Sequence, residues 1–192
     1  KMAKSEENFL TLPTLTEKGF SPLAYRYLVL TSHYRSKLNF TWESLAGAKH
    51  SLERLYECIR VLLEKRRKSK KTRSLRAYQH VFERALADDL DTPKALAVIW
   101  KLIAEYNARP DSFDAHEIRR LLYDFDAVLG LGFKSIKQEK IPERIRLLAE
   151  KREAYRKSKN WALADKIRGD INSAGFALLD TPEGVRIQKK HA

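Results

Sequence analysis

Lys1 and Lys4 place two ammonium groups three residues apart. A mobile ammonium that reaches phosphate oxygens only in a transition state lowers the barrier to displacing pyrophosphate. The alternative is a solvated terminus, since such a contact needs a preorganised partner site. A second group, His33, Tyr34, Arg35 and Lys37, mixes rings and cations on a loop after a helix. Arg35 and Lys37 suit phosphates, and Tyr34 suits stacking or a ribose contact. The plainer alternative has Tyr34 packed beneath a bundle and His33 as an ordinary, partly buried histidine. A third group is Arg156, Trp161, Asp165 and Asp180. Unstacked bases are read by stacking on rings and by hydrogen bonds to their edges. Carboxylates accept from guanine and cytosine amino groups, and arginine donates to guanine. Here the alternatives are a core anchor for Trp161 and a turn cap for Asp180.

The charge supports a polyanionic partner. The 192 residues carry a formal net charge of +13, which favours nucleic acid. The excess is uneven: residues 41–76 and 134–192 are each net +7, whereas 77–133 are net −4. A partner therefore meets only part of the surface.

Other chemistries find little support. Cys58 is the only cysteine, so neither an internal disulfide framework nor a closed cysteine zinc site can form. This suits a reducing cytoplasm. Cys58 falls on the apolar side of its helix, as a core residue rather than a nucleophile. The histidines lie at no metal-ligand spacing. Asp88, Asp89 and Asp91 read better as a helix-capping loop than as a metal site. No apolar run is long enough to span a membrane. A chain opening Lys1-Met2 without an apolar stretch reads as a fragment rather than as one led by a signal peptide.

The elements that must carry these groups are mostly helical. Ser21-Pro22 is a cap followed by proline at the first helical position, opening a helix to about Ser32. Thr41 starts the next, with Leu45, Leu52, Leu55, Ile59 and Leu62 on one face. It ends in the basic run 65–71. A third helix presents Tyr78, Val81, Phe82, Ala85 and Leu86. Thr92 as cap and Pro93 as first residue open a fourth, which buries Leu96, Ile99, Leu102, Ile103 and Tyr106. A fifth buries Ile118, Leu121, Leu122, Phe125, Val128 and Leu129 and stops at Gly130 or Gly132. Residues 133–141 read as a linker. Beyond it, Pro142 opens one helix and Asn160 caps another from Trp161 to Ala174. Phe176–Leu179 and Val185–Gln188 read as two short strands around a turn at Asp180-Thr181-Pro182-Glu183-Gly184.

Three stretches, in order, carry a resemblance. Lys1-Met2-Ala3-Lys4-Ser5 resembles the lysine-rich KMSKS signature of class I aminoacyl-tRNA synthetases, with alanine where serine is usual at the third position. Tyr25-Arg26-Tyr27-Leu28 through Ser32-His33-Tyr34-Arg35-Ser36 and Leu38-Asn39-Phe40 resembles the segment after that loop in cysteinyl-tRNA synthetases. Asp88-Asp89-Leu90-Asp91-Thr92-Pro93 with Ala95-Leu96, and Lys159-Asn160-Trp161 with Ala164-Asp165 and Gly175, resemble later landmarks of that family. Asn160 stands where aspartate is common.

The resemblance implies a mainly α fold: a helical DALR-type anticodon-binding bundle, then a small α+β domain of two helices and a short hairpin. Residues 1–20 would end a catalytic domain, 21–132 form a tRNA-binding bundle, 133–141 a linker, and 142–192 an anticodon-recognition domain. The parent would be an ATP-dependent cysteine ligase using Mg2+, joining cysteine to tRNA(Cys), with Zn2+ held by ligands outside this chain. Lys4 would contact ATP phosphates with Lys1 assisting. His33, Tyr34, Arg35 and Lys37 would bind tRNA where the catalytic domain meets the inside of its elbow. Arg156, Trp161, Asp165 and Asp180 would read a GCA anticodon. A cytoplasmic monomer is expected, inactive as a fragment. Two rivals remain at this point. One is a related cysteine ligase acting on a small amine, against which residues 142–188 argue. The other is a stand-alone RNA-binding module, which has no use for half of an ATP site.

Overall fold

The computed structural model describes residues 11–65, 73–137, 141–181 and 184–189, with Asp180 and Thr181 described by backbone alone. Its chain divides into two compact units, Lys1–Gln138 and Glu139–Ala192. The expected mainly α fold with a terminal hairpin is what it forms. The basic run over 66–71 lies outside the described residues.

The first unit holds six α-helices among the described residues: α1 Leu12–Glu17, α2 Pro22–Leu30, α3 Trp42–Glu64, α4 Arg76–Ala87, α5 Thr92–Ala108 and α6 Ala115–Leu129. Most of them start on a side chain that accepts an otherwise orphaned amide. Ser21 accepts from Ala24, and Thr41 and Ser44 form a reciprocal capping box. Asp114 accepts from two amides of the first turn of α6. One core runs through the unit, including Leu45, Leu55, Ile59, Ile99, Leu102, Ile118 and Leu122. Leu15 of α1, a short helix without a strong sequence signal, belongs to the same core.

Three sequence expectations are corrected. Asp91, not Thr92, caps α5. Its carboxylate accepts from the Lys94 amide at 3.0 Å and pairs with the Lys94 ammonium at 2.8 Å, so Thr92 becomes the first helical residue. Val128 is 55% exposed, because Leu129 takes the inward position in the last turn of α6. Phe133, expected in a linker, is fully buried within a short 3-10 turn, Phe133–Ser135. Cys58 is half-buried and packs against the core.

Phe133 is held there by an unusual convergence. Gly130 ends α6 in the left-handed region, φ 64°. The buried carboxylate of Asp126 then accepts from the amides of Leu131 at 2.6 Å and Phe133 at 2.7 Å. Arg26 donates from α2 to the Leu129 carbonyl at 2.7 Å, and the Tyr56 hydroxyl donates from α3 to the Leu131 carbonyl at 2.7 Å. Glycine suits the backbone angle at Gly130, and a Cβ there would also press on the Arg26 guanidinium at 3.0 Å.

Burial, then the Asp126 charge, push the Tyr56 hydroxyl from 10.0 up to about 12, with Arg60 opposing. The neutral phenol is therefore the form the fold favours. Its contribution is fully present below the unfolded pKa and is lost as pH rises through the folded one. Raising pH from about 9 to about 11.5 should lower the urea midpoint more in the wild type than in Tyr56→Phe. Tyr78, raised to about 12 by burial and by Glu105, leaves a residual fall in both. Equal falls would show that the Tyr56 hydroxyl does not feel its surroundings.

The second unit packs two helices, α7 Glu143–Lys157 and α8 Trp161–Ser173, against a two-stranded antiparallel hairpin, β1 Phe176–Thr181 and β2 Gly184–Lys189. The strands are longer than the four residues each that the sequence suggested. Their register pairs Phe176 with Lys189 and Asp180 with Val185. Ile145, Ala149, Ile167, Ile171, Phe176 and Leu178 form its own core. Gly175, φ 83°, turns α8 into β1.

Candidate nucleic-acid interface

The loop from Thr31 to Thr41 joins α2 to α3, and the loop from Asp88 to Asp91 joins α4 to α5. Leu38 and Phe40 pack on the core and anchor the first loop, leaving residues 34–37 exposed and His33 half-buried. Tyr34 is 61% exposed, so it does not pack beneath the bundle. Its ring stacks on His33, centroids 4.9 Å apart, and the Arg35 guanidinium lies 5.5 Å from the ring centre. The Arg35 amide donates to His33 Nδ1 at 3.3 Å, which leaves the ring proton of neutral His33 on Nε2.

Asp89 ties this group together across 55 residues of sequence. Tyr34 donates to its Oδ1 at 2.6 Å, Arg35 Nε lies 3.1 Å from its Oδ2, and His33 Nε2 faces the same oxygen at 3.8 Å. Arg35 Nε also donates to the Tyr34 hydroxyl at 3.0 Å. The bond to Asp89 raises the Tyr34 pKa, and Arg35 pulls it back in part. Beside it, hydrogen bonding to Lys94 lowers the Asp91 carboxyl, and Asp91 raises Lys94. By sequence, Asp89 belongs with Asp88 and Asp91 to a capping loop. Asp91 caps, whereas Asp89 reaches the other loop, and no short-range pattern signals that. Lys37 is exposed near this group and makes no bond within it among the described residues.

In the second unit, α7 and α8 meet at a tight corner. Lys159 takes a left-handed φ of 60°, which lets the Asn160 amide donate back to the Tyr155 carbonyl at 2.8 Å. Asn160 caps α8 by accepting from Leu163. The corner is rich in cations: Arg156 and Lys157 end α7, and Lys159 follows. Trp161, the first residue of α8, is 57% exposed. It is not a core anchor. Asp165 is exposed one turn further along α8. Arg156 is half-buried and pairs with Glu153 at 3.5 Å. Asp180 lies by its backbone near the turn end of the hairpin, and its side chain is outside the described residues. Lys1, Met2, Ala3, Lys4 and Ser5 are also outside them.

No group of three or more metal-ligating side chains comes together among the described residues. No described helix is long and apolar enough to cross a membrane.

Residues 81–134, from α4 to the Phe133 turn, match the DALR domain family. Cysteine–tRNA ligase 1 of Burkholderia lata is 40% identical over 189 residues, covering 97% of this chain and 38% of the ligase. The cysteine–tRNA ligases of Leptospira interrogans and Chlamydia trachomatis are each 36% identical, covering 99% and 98% of this chain and 43% of their own lengths. The chain thus spans about two fifths of the curated relatives it matches. Almost all of this chain is thus similar to part of those cysteine–tRNA ligases, and a DALR domain lies within the similar stretch.

Proposed function

We propose that this chain is the tRNA-binding and anticodon-binding portion of a cytoplasmic cysteine–tRNA ligase, which activates cysteine with ATP and transfers it to tRNA(Cys). The observation that carries the reading is Trp161, a tryptophan left 57% exposed on a corner lined by Arg156, Lys157 and Lys159. Burying such a ring would normally stabilise a small domain. An exposed ring beside cations suits a stacked base with its phosphate neutralised nearby. Asp165 would read a base edge one turn away. Asp180 fits the same surface: β1 and α8 are each about 20 Å long. A strand that reverses through Gly175 and packs back along α8 brings its far end toward Trp161. On the first unit, Tyr34, Arg35, His33 and Lys37 would meet the RNA backbone. Lys4, with Lys1, would serve the ATP phosphates of the whole enzyme.

The test is binding of an in vitro tRNA transcript bearing a GCA anticodon. Affinity should fall by at least about tenfold between roughly 50 and 200 mM salt, because each neutralised phosphate releases counterions. Binding indifferent to salt would remove the phosphate-led interface.

A further inference from the structure

Asp89 and Leu90 both take left-handed backbone angles, φ 55° and 56°. Two consecutive non-glycine residues there are costly, most of all for leucine, and glycine would avoid the cost. Backbone bonding of the loop does not explain the side chains: Leu90 donates to the Leu86 carbonyl at 3.1 Å and Asp91 to the Ala85 carbonyl at 2.9 Å, bonds that glycines would make equally. Asp91 caps α5 and Asp88 pairs with Lys94 at 3.4 Å, so both serve locally. Asp89 has no local bond. Both its oxygens cross to the loop that carries Tyr34 and Arg35.

The consequence falls on Arg35. Its Nε edge is shared between Asp89 Oδ2 at 3.1 Å and the Tyr34 hydroxyl at 3.0 Å, while its side chain remains 69% exposed. With that edge fixed, the guanidinium plane is fixed, and the two terminal amino groups have no acceptor among the described residues. An arginine held by one edge and open at the other is a preorganised phosphate fork. We propose that Asp89 is a positioning residue for RNA: it holds Arg35 and Tyr34 so that the free end of Arg35 meets a backbone phosphate. This rests on the tRNA-binding reading above.

The sign of one substitution separates this from a mere tie between loops. A carboxylate beside an RNA surface repels phosphates, so if Asp89 did nothing for binding, removing its charge would tighten the complex. Positioning requires the opposite. The experiment measures binding of the GCA transcript to the full chain across a salt series, with urea unfolding of each variant. Asp89→Gly relaxes the backbone and removes the carboxylate. It should keep or raise the urea midpoint, weaken binding about tenfold and lower the salt slope by about one. Arg35→Ala should match it in affinity and slope. Asp89→Asn should weaken binding, and the double variant Asp89→Asn/Arg35→Ala should bind no worse than Arg35→Ala. Tighter binding by Asp89→Asn overturns the proposal, as do losses that multiply in the double variant. Should Asp89→Gly unfold the chain, the sign for Asp89→Asn decides. A wild-type chain with no affinity for the transcript overturns the tRNA-binding reading itself, and this proposal with it. Normal wild-type binding with an unaffected Asp89→Asn overturns this proposal alone.

Discussion

Alanine in place of Asp126 should destabilise the first unit by about 3 kcal/mol, because it strands two amides at once. The Leu131 and Phe133 N–H groups donate to the two carboxylate oxygens at 2.6 and 2.7 Å, and both residues are fully buried. Water has little access to replace the lost acceptors. An unsatisfied buried donor costs about 1–3 kcal/mol, so two stranded at about 1.5 kcal/mol each give the expected loss. Asp126→Asn keeps one acceptor and should cost about half as much. Urea unfolding followed by tryptophan fluorescence in a Trp161→Phe background confines the signal to Trp42 and Trp100 of the first unit. A loss below about 1 kcal/mol would mean that Arg26 and Tyr56 hold the turn unaided.

Trp161→Ala should leave the fold intact and weaken binding of the GCA transcript by about 1–3 kcal/mol, the usual worth of one base stacked on a ring. The ring is 57% exposed, so its loss opens no cavity. Trp161→Phe should recover much of the affinity, since a smaller ring still stacks. Asp165→Ala provides the matching test of sequence reading: it should penalise the cognate anticodon and spare a transcript with an altered one. Circular dichroism checks the fold, and filter binding of both transcripts gives the ratio. Full affinity in Trp161→Ala would return Trp161 to the ordinary exposed surface.

The helices were legible because their signals are local. Ser21-Pro22, Thr41 and Asn160 each announce a start, and the apolar spacing of Leu45 to Leu62 announces a buried face. The failures share a cause: each depends on a partner distant in sequence or on a choice between neighbours. Asp91 and Thr92 are both good caps, and proline tolerates either of the first two helical positions. Only the added pairing with Lys94 decides for Asp91. Phe133 follows two glycines in three residues and reads as linker, yet Asp126 reaches forward to hold it. Among the candidate site residues, the spacing of Trp161 and Asp165 was readable, but exposure was not, since a tryptophan at a helix start serves a core or a ligand equally well. Asp89 was legible only as one acid among three.

The clamp around residues 129–133 also bears on how the chain emerges from a ribosome. Arg26 waits 103 residues for the Leu129 carbonyl, and Tyr56 waits 75 for that of Leu131. During synthesis α2 and α3 can pair early, but the apolar stripe of α3 lacks its cover until α6 has been made. Contacts of such separation carry a loop-closure cost before they return any stabilisation. The clamp therefore cannot close until Leu131 has left the exit tunnel, and the face of α3 that α6 covers stays without that cover until then.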